Sequence, residues 1–167
     1  IEHCLQTANS LAELKLPISM IAAGLLHDVP EDTKFTLENI KTEFGSDIAS
    51  MVEGITKLGR IKYRGIDRYV ENLRKMFVAM AQDIRVVLIK FADRLHNLQT
   101  LYALPADKQK RIAQETLEIY APIANRLGIG ELQSKLEDAA FKYAYPDDFN
   151  KTEQLIKNNF PIKKKTL

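Results

Sequence analysis

Hydrophobic and polar residues follow one another along the chain at the three- to four-residue spacing of α-helices. A clear example comes after Pro17, where four apolar residues occupy positions i, i+3, i+4 and i+7: Ile18, Ile21, Ala22 and Leu25. No segment alternates at every second residue, as a half-buried strand does. The pattern therefore predicts an all-α fold with roughly eight to ten helices.

Residues with capping or breaking properties mark the ends of the first predicted helices. Thr36 is a suitable N-cap for a helix that begins at Leu37, and Gly45 is a suitable stop. Ser46 is then predicted to cap the next helix. Residues 58–67 (LGRIKYRGID) contain two glycines and three basic residues, and this composition predicts a loop.

Similar signals divide the second half of the chain. A helix resumes near Arg68, and Asp83 is placed to cap another that continues to Leu104, before Pro105. The helix predicted for 106–127 contains Pro122, which removes a backbone hydrogen bond and predicts a kink or break there. Two further helices are predicted, at 131–145 and at 147–158.

Composition narrows the class of protein. The chain has 167 residues, 46% hydrophobic and 28% charged, with a net charge of +2. These values are ordinary for a globular protein and give no general attraction to nucleic acid or membranes. The single cysteine, Cys4, excludes a disulfide framework and favours a cytoplasmic setting. The helical start without methionine and the basic end FPIKKKTL indicate an internal piece of a longer protein.

The first candidate for chemistry is the segment IAAGLLHDVPEDT at 21–33, in which an apolar run ends in four ionisable residues: His27, Asp28, Glu31 and Asp32. Charged groups at the end of a buried segment are costly unless they are paired. We expect Pro30 to end the helix after Asp28, which would place both acids in a turn beside the His-Asp pair. Alternatively, the histidine contacts the helix terminus and the acids are exposed.

The second candidate lies on the helix that follows Asp83. Asp93, Asn97 and Thr100 share one face of a helix that is otherwise apolar on more than one side. Buried polar groups need partners. This face is therefore a functional site, a solvated stripe, or a buried network that joins Asp93 to Arg94 or His96.

Three long segments together resemble one family. AELKLPISMIAAGLLHDVPEDT, RVVLIKFADRLHNLQTL and IYAPIANRLGIGELQSKLEDAAFKYAYPDDF resemble the hydrolase domain of the long RelA/SpoT homologues. These enzymes make and degrade the guanosine tetra- and pentaphosphates, (p)ppGpp, and their hydrolase domain is a branch of the HD-domain metal-dependent phosphohydrolases. The resemblance implies a helical bundle, with the hydrolase domain at 1–128 and a helical connector toward a synthetase domain at 129–167.

The resemblance also implies a metal site and a pair of catalytic acids. Its metal ligands fall on four residues: His3, His27, Asp28 and Asp93. The implied ion is Mn²⁺, and two imidazoles with two carboxylates suit several divalent ions of this kind. The paired acids fall on Glu31 and Asp32, where they would hold and activate the attacking water.

Substrate contacts are implied at several further positions. Asn97 and Thr100 match positions near the nucleoside and phosphates, and Leu104 matches a position that lines the guanine pocket. Because two carboxylates neutralise a divalent ion, cations should help to attract a polyphosphate. The candidates are Lys57, Arg60, Lys62, Arg64 and Arg94, although a solvated basic loop is an equal alternative.

Two departures from the family pattern stand out. An Arg-Lys pair that contacts the nucleotide would precede residue 1, and Pro30 stands where an apolar branched residue is more usual. The resemblance implies Mn²⁺-dependent hydrolysis of ppGpp and pppGpp to GDP or GTP and pyrophosphate. Its expected partners are synthetase and regulatory domains in cis, with no membrane or nucleic acid. The alternatives are a general HD nucleotide phosphohydrolase and a catalytically silent regulatory domain.

Overall fold

The computed structural model describes residues 1–59 and 66–159, and within those ranges every regular element is helical. The helices are α1 (Glu2–Glu13), α2 (Ile18–Leu26), α3 (Val29–Asp32), α4 (Leu37–Phe44), α5 (Ser46–Gly59), α6 (Ile66–Gln82), α7 (Ile84–Gln99), α8 (Ala106–Glu115), α9 (Ala121–Arg126), α10 (Gly130–Ala144) and α11 (Pro146–Asn159). The predicted all-α fold is confirmed. None of the helices in the described ranges combines the length and apolar character needed to cross a membrane.

The chain forms two compact units, Ile1–Asn97 and Leu98–Leu167. In the first unit α2 packs against α1 and α5, and α5 also packs against α4 and α6. In the second unit α10 packs against α8, α9 and α11. The functional boundary expected at residue 128 is a different kind of division and stays a prediction.

Local capping explains where several helices begin and end. The Thr36 hydroxyl accepts a hydrogen bond from the Asn39 backbone N–H, and the Asn39 side chain accepts one from the Thr36 N–H at 2.8 Å. Gly45 ends α4 with a φ of +90°, a conformation that glycine adopts without a steric penalty. The Asp83 carboxylate accepts the Arg85 backbone N–H at 2.9 Å at the start of α7. The predicted caps at Thr36 and Asp83 are confirmed, but the one at Ser46 is wrong, because Ser46 is the first residue of α5 and the residue before it is Gly45.

The predicted helix from Asp83 to Leu104 is too long. Helix α7 ends at Gln99, and Leu101–Ala103 form a 3₁₀ turn in which the Leu104 N–H donates to the Leu101 carbonyl at 2.9 Å. Pro105 disfavours helical backbone in the residue before it. The helix therefore ends in a 3₁₀ turn, and Leu104 has an extended conformation.

In place of the kink or break predicted near Pro122, the helical backbone continues through a turn of different pitch that begins earlier. Thr116–Tyr120 form a π-helical turn between α8 and α9, and Pro122 lies in the first turn of α9. A proline in the first turn loses no intrahelical hydrogen bond. The wider π turn therefore absorbs the irregularity that the proline would otherwise impose on a continuous helix.

The buried face of α2 differs from the apolar stripe in the sequence. Ile18 is 84% exposed, whereas Met20, Ala23 and Gly24 are buried. A Cβ atom added to Gly24 would lie 2.5 Å from the Leu11 side chain. The small residues therefore face inward because they let α1 approach α2 closely, which a count of apolar residues does not reveal.

Gly54 allows an equally close approach between α5 and α7. An added Cβ would lie 2.7 Å from Cγ2 of Val86, which is buried and cannot move aside. We expect Gly54→Ala to lower the free energy of unfolding by about 1–2 kcal/mol, because overpacking outweighs the gain in helix propensity. Urea denaturation measures this difference.

Gly59→Ala is the matched control for that experiment. No atom lies within 4 Å of a Cβ added at Gly59 in the described part of the chain. This substitution should leave stability unchanged or raise it slightly. Equal stability of the two variants would contradict the close packing of α5 against α7.

Candidate metal centre

Four side chains that are distant in sequence converge at one point in the first unit. His3 comes from α1, His27 and Asp28 from the end of α2, and Asp93 from α7. The His3 Nε2 lies 2.9 Å from the Asp93 Oδ1 and 3.2 Å from the His27 Nε2. The His27 Nε2 lies 3.1 Å from the Asp28 Oδ1 and 3.8 Å from the Asp93 Oδ1. Both carboxylates thus lie within 4 Å of both imidazole Nε2 atoms.

The backbone after α2 positions the His-Asp pair. Helix α2 ends at Leu26, two residues earlier than predicted, while His27 and Asp28 keep near-helical dihedral angles. Pro30 lies in the first turn of α3 and does not itself break α2. The one-turn helix α3 therefore begins directly beside the pair.

The protonation of His27 follows from its hydrogen bond. The His27 Nδ1 lies 2.8 Å from the carbonyl oxygen of Gly24, which can only accept. The proton of a neutral imidazole must then lie on Nδ1, so Nε2 presents a lone pair to the cluster. His27 is 3% exposed, and its ring has little freedom to turn away.

Asp93 remains ionised although it is buried. Burial alone would raise its pKa, but the Lys90 ammonium, 2.6 Å from its Oδ2, and the hydrogen bond with His3 hold the pKa far below its ordinary value. The Asn97 amide also donates to Asp93 Oδ1 at 2.8 Å. The carboxylate thus offers a permanent negative charge at the centre of the cluster.

His3 contacts the cluster through one ring nitrogen and His96 through the other. The two Nδ1 atoms of His3 and His96 are 2.7 Å apart. The hydrogen bond with Asp93 raises the pKa of His3, while burial and the neighbouring His3 lower the pKa of His96. A neutral His96 can accept a hydrogen bond from the Nδ1–H of His3 at this distance.

The chemistry of this donor set fits a divalent metal ion. The Nε2 lone pair of His27 and two carboxylates, from Asp28 and Asp93, point toward the His3 Nε2 within a few ångströms. Such a concentration of lone pairs repels itself unless a proton or a cation lies among them. Mixed imidazole and carboxylate sites are typical ligands for divalent first-row metals. One ligand atom each from His3, His27 and Asp28 lies within 4.8 Å of the other two.

Protons and metal ions should compete for this cluster. Because the pKa of His3 is raised, His3 retains its proton to a higher pH than a free histidine. We therefore expect the affinity for a divalent ion to rise with pH, by about tenfold per pH unit below that raised pKa and little above it. Calorimetric titration with Mn²⁺ at several pH values measures this. Affinity that is constant over this range would contradict the competition.

Glu31 and Asp32 lie in α3, three and four residues after Asp28. Their backbone N–H groups donate to the Asp28 carbonyl at 3.0 and 2.9 Å. Both side chains are exposed, and within the described residues they form no hydrogen bond or ion pair. The structure thus places the two acids on the turn next to a cluster residue, with their carboxylates available to solvent.

The residues predicted to contact the substrate differ in their exposure and in their partners. Asn97 is exposed and bonds to Asp93, and the exposed Lys57 pairs with Glu53 at 2.7 Å. Arg94 is half-buried on α7. Thr100 and Leu104 belong to the second unit and are exposed. Arg60, Lys62 and Arg64 lie outside the described residues and stay predictions, but the loop predicted for 58–67 is too long, because α5 extends to Gly59 and α6 begins at Ile66.

Sequence reasoning overlooked Lys90 as a contributor to the cluster and gave His96 a different partner from the one the structure shows. Both are three residues from Asp93 on α7, one before it and one after it, so they share its helix face. That three-residue spacing from Asp93 could have identified both residues as neighbours of the cluster. The sequence interpretation considered His96 only as a partner for Asp93, whereas the structure brings it to His3.

Comparisons with known proteins agree with this geometry. The sequence profile of the HD domain matches residues 1–130. A protein from Synechocystis, named probable guanosine-3′,5′-bis(diphosphate) 3′-pyrophosphohydrolase, is 50% identical over 157 residues, which cover 93% of this chain and 21% of that protein. A GTP pyrophosphokinase from Myxococcus xanthus is 50% identical over 151 residues, which cover 88% and 20%. The chain thus spans about a fifth of each relative's length.

A solved structure shares the fold. It belongs to a metazoan ortholog of SpoT described as hydrolysing ppGpp, with a TM-score of 0.52 and 24% sequence identity. The match covers 85% of this chain and 78% of that one. At this identity the likeness supports the helical architecture.

Proposed function

This chain belongs to the HD-domain family, and from that premise we propose that it hydrolyses ppGpp and pppGpp at the 3′-pyrophosphate. Water would attack the phosphorus bound to the ribose 3′ oxygen. The bond between this phosphorus and the ribose 3′ oxygen breaks, pyrophosphate departs with the oxygen of the water, and the ribose oxygen takes up a proton to give GDP or GTP. The homologous region of the Synechocystis relative belongs to a protein named for this reaction.

The observation that carries the proposal is the convergence of Asp28 and Asp93 on the imidazoles of His3 and His27, with separations of 2.9–3.8 Å between each carboxylate and the two rings. We infer that these residues hold one divalent ion, and that the ion is Mn²⁺. A bound divalent ion would stabilise the charge that develops on the phosphate oxygens and would make nearby water more acidic. Two imidazole nitrogens favour Mn²⁺ over Mg²⁺, which prefers oxygen ligands.

Glu31 and Asp32 are the proposed catalytic acids. Their exposed carboxylates, one helical turn from Asp28, are free of other hydrogen bonds in the described part of the chain. A carboxylate in that position can accept the proton of the attacking water. Their carboxylates should therefore affect the rate of hydrolysis more than the binding of the metal.

The substrate is proposed to bind along the exposed end of α7 and the residues that follow it. Asn97 already orients Asp93 through its amide, and its exposed side chain can also contact the nucleoside. We propose Thr100 and Leu104 as further nucleoside contacts, and Lys57 and Arg94 as phosphate contacts. Synthetase and regulatory domains in cis are proposed partners, because the chain covers only 21% of its Synechocystis relative. We place this activity in the cytoplasm.

Two other functions compete with this one. A general HD phosphohydrolase would use the same cluster on other nucleotides. A silent regulatory domain is the second alternative, and the name GTP pyrophosphokinase of the Myxococcus relative is compatible with it. The intact donor set argues against silence, because all four implied ligand residues are present and their side chains converge.

Incubation with substrate separates the three functions. With ppGpp and Mn²⁺ the chain should release GDP and pyrophosphate in equal amounts, and EDTA should stop the reaction. Faster cleavage of deoxynucleoside triphosphates or cyclic nucleotides would favour the general phosphohydrolase. Binding of Mn²⁺ without cleavage of any nucleotide would overturn the proposal in favour of a silent domain.

A further inference from the structure

The His3 ring is held at both of its nitrogens by a single helix. Its Nε2 lies 2.9 Å from the Asp93 carboxylate, and its Nδ1 lies 2.7 Å from the Nδ1 of His96. Asp93 and His96 are both on α7, whereas His3 is on α1. His96 is 8% exposed, so its ring is packed in place opposite His3.

A hydrogen bond between two ring nitrogens requires one proton, which can come from either ring. If His96 donated, the Nδ1 of His3 would accept, and the proton of a neutral His3 would lie on Nε2. That nitrogen would then have no lone pair for a metal ion. Metal binding through Nε2 therefore requires His3 to carry its proton on Nδ1 and His96 to accept it.

We propose that His96 is a positioning residue that fixes the tautomer and the ring orientation of His3 for metal binding. The inference rests on the metal site of the proposed function but not on its substrate. His27 achieves the same result by donating to the Gly24 backbone carbonyl at 2.8 Å. His3 depends on a side chain instead, and a side chain can be replaced without disturbing the backbone.

The test compares two substitutions of His96 at one fixed pH, with Mn²⁺ alone as the ligand. His96→Leu removes the acceptor and should weaken Mn²⁺ binding by about 10- to 100-fold, the usual effect of losing such an outer hydrogen bond. His96→Asn places a carbonyl oxygen near the former Nδ1 and should bind within about threefold of the wild type. Calorimetry measures the affinity, and urea denaturation shows whether each variant is folded.

Restored Mn²⁺ affinity in His96→Asn would show that the hydrogen bond matters and not the packing, because leucine fills the space of the histidine ring at least as well as asparagine but cannot accept a hydrogen bond. The inference would be overturned if the His96→Leu variant bound Mn²⁺ with an affinity within threefold of the wild type. It would also be overturned if the His96→Asn variant bound Mn²⁺ as weakly as His96→Leu. A wild-type chain that binds no Mn²⁺ would overturn both this inference and the proposed function. If the wild type bound Mn²⁺ and both variants bound it equally well, this inference would be overturned and the proposed function would stand.

A measurement on the unmodified chain covers the case in which a variant does not fold. Nitrogen-15 spectra of the histidine rings, recorded with diamagnetic Zn²⁺ bound, report which nitrogen of each ring carries the proton. We expect His3 to be protonated at Nδ1 and His96 at Nε2. A proton on the Nδ1 of His96 would contradict the proposal directly.

Discussion

Replacing Asp93 by asparagine should reduce the hydrolysis of ppGpp by on the order of 1,000-fold, which corresponds to about 4 kcal/mol of lost transition-state stabilisation. Asp93 is 3% exposed, and its carboxylate lies 2.9 Å from His3 and 2.6 Å from the Lys90 ammonium. An amide of the same shape keeps the packing but carries no charge and is a poor metal ligand. Metal affinity and activity should therefore fall together.

Asp138→Asn is the matched control, because it removes an exposed carboxylate from α10. It should leave both Mn²⁺ affinity and hydrolysis unchanged. Calorimetry with Mn²⁺ and an assay of pyrophosphate release measure the two quantities. An Asp93→Asn chain that is folded and retains its Mn²⁺ affinity would contradict the role of Asp93 as a ligand.

The double substitution Glu31→Gln and Asp32→Asn should have a different signature. We expect the rate of hydrolysis at saturating ppGpp to fall by about 100- to 10,000-fold, the range for a lost general base. Mn²⁺ affinity should change by less than about threefold, because neither carboxylate lies among the converging donors in the described residues. In this double variant the rate of hydrolysis should fall while Mn²⁺ affinity is kept, whereas in Asp93→Asn both should fall.

Glu43→Gln is the control for that variant, because Glu43 is an exposed acid on α4. It should behave like the wild type in both assays. If the double variant lost metal affinity in proportion to activity, the two acids would be ligands instead of proton acceptors. If its activity were unchanged, another group would have to accept the proton.

Much of the fold could be predicted because helix ends are encoded locally. Thr36, Gly45 and Asp83 act through contacts with residues at most four positions away, and all three mark helix ends as expected. Long-range packing was harder. The inward face of α2 depends on how closely α1 approaches Gly24, and that distance is a property of two helices together.

The candidate site could be predicted only with the help of the family resemblance. The sequence alone singled out His27, Asp28 and Asp93, but His3 had no distinguishing neighbours on its helix. Its partners, at positions 27, 93 and 96, are all distant in sequence. The contact between His3 and His96 depends on the packing of α1 near α7, which no local pattern encodes.

The most direct test of the central claim is a crystal structure of the chain grown with Mn²⁺, with anomalous diffraction used to locate the ion. We expect a single strong anomalous peak at about 2.0–2.3 Å from the Nε2 atoms of His3 and His27 and from a carboxylate oxygen of Asp28 and of Asp93. An anomalous peak elsewhere would contradict the claim that these four residues bind one ion. The same would follow if, at saturating Mn²⁺, the four side chains were still hydrogen-bonded to one another with no ion between them.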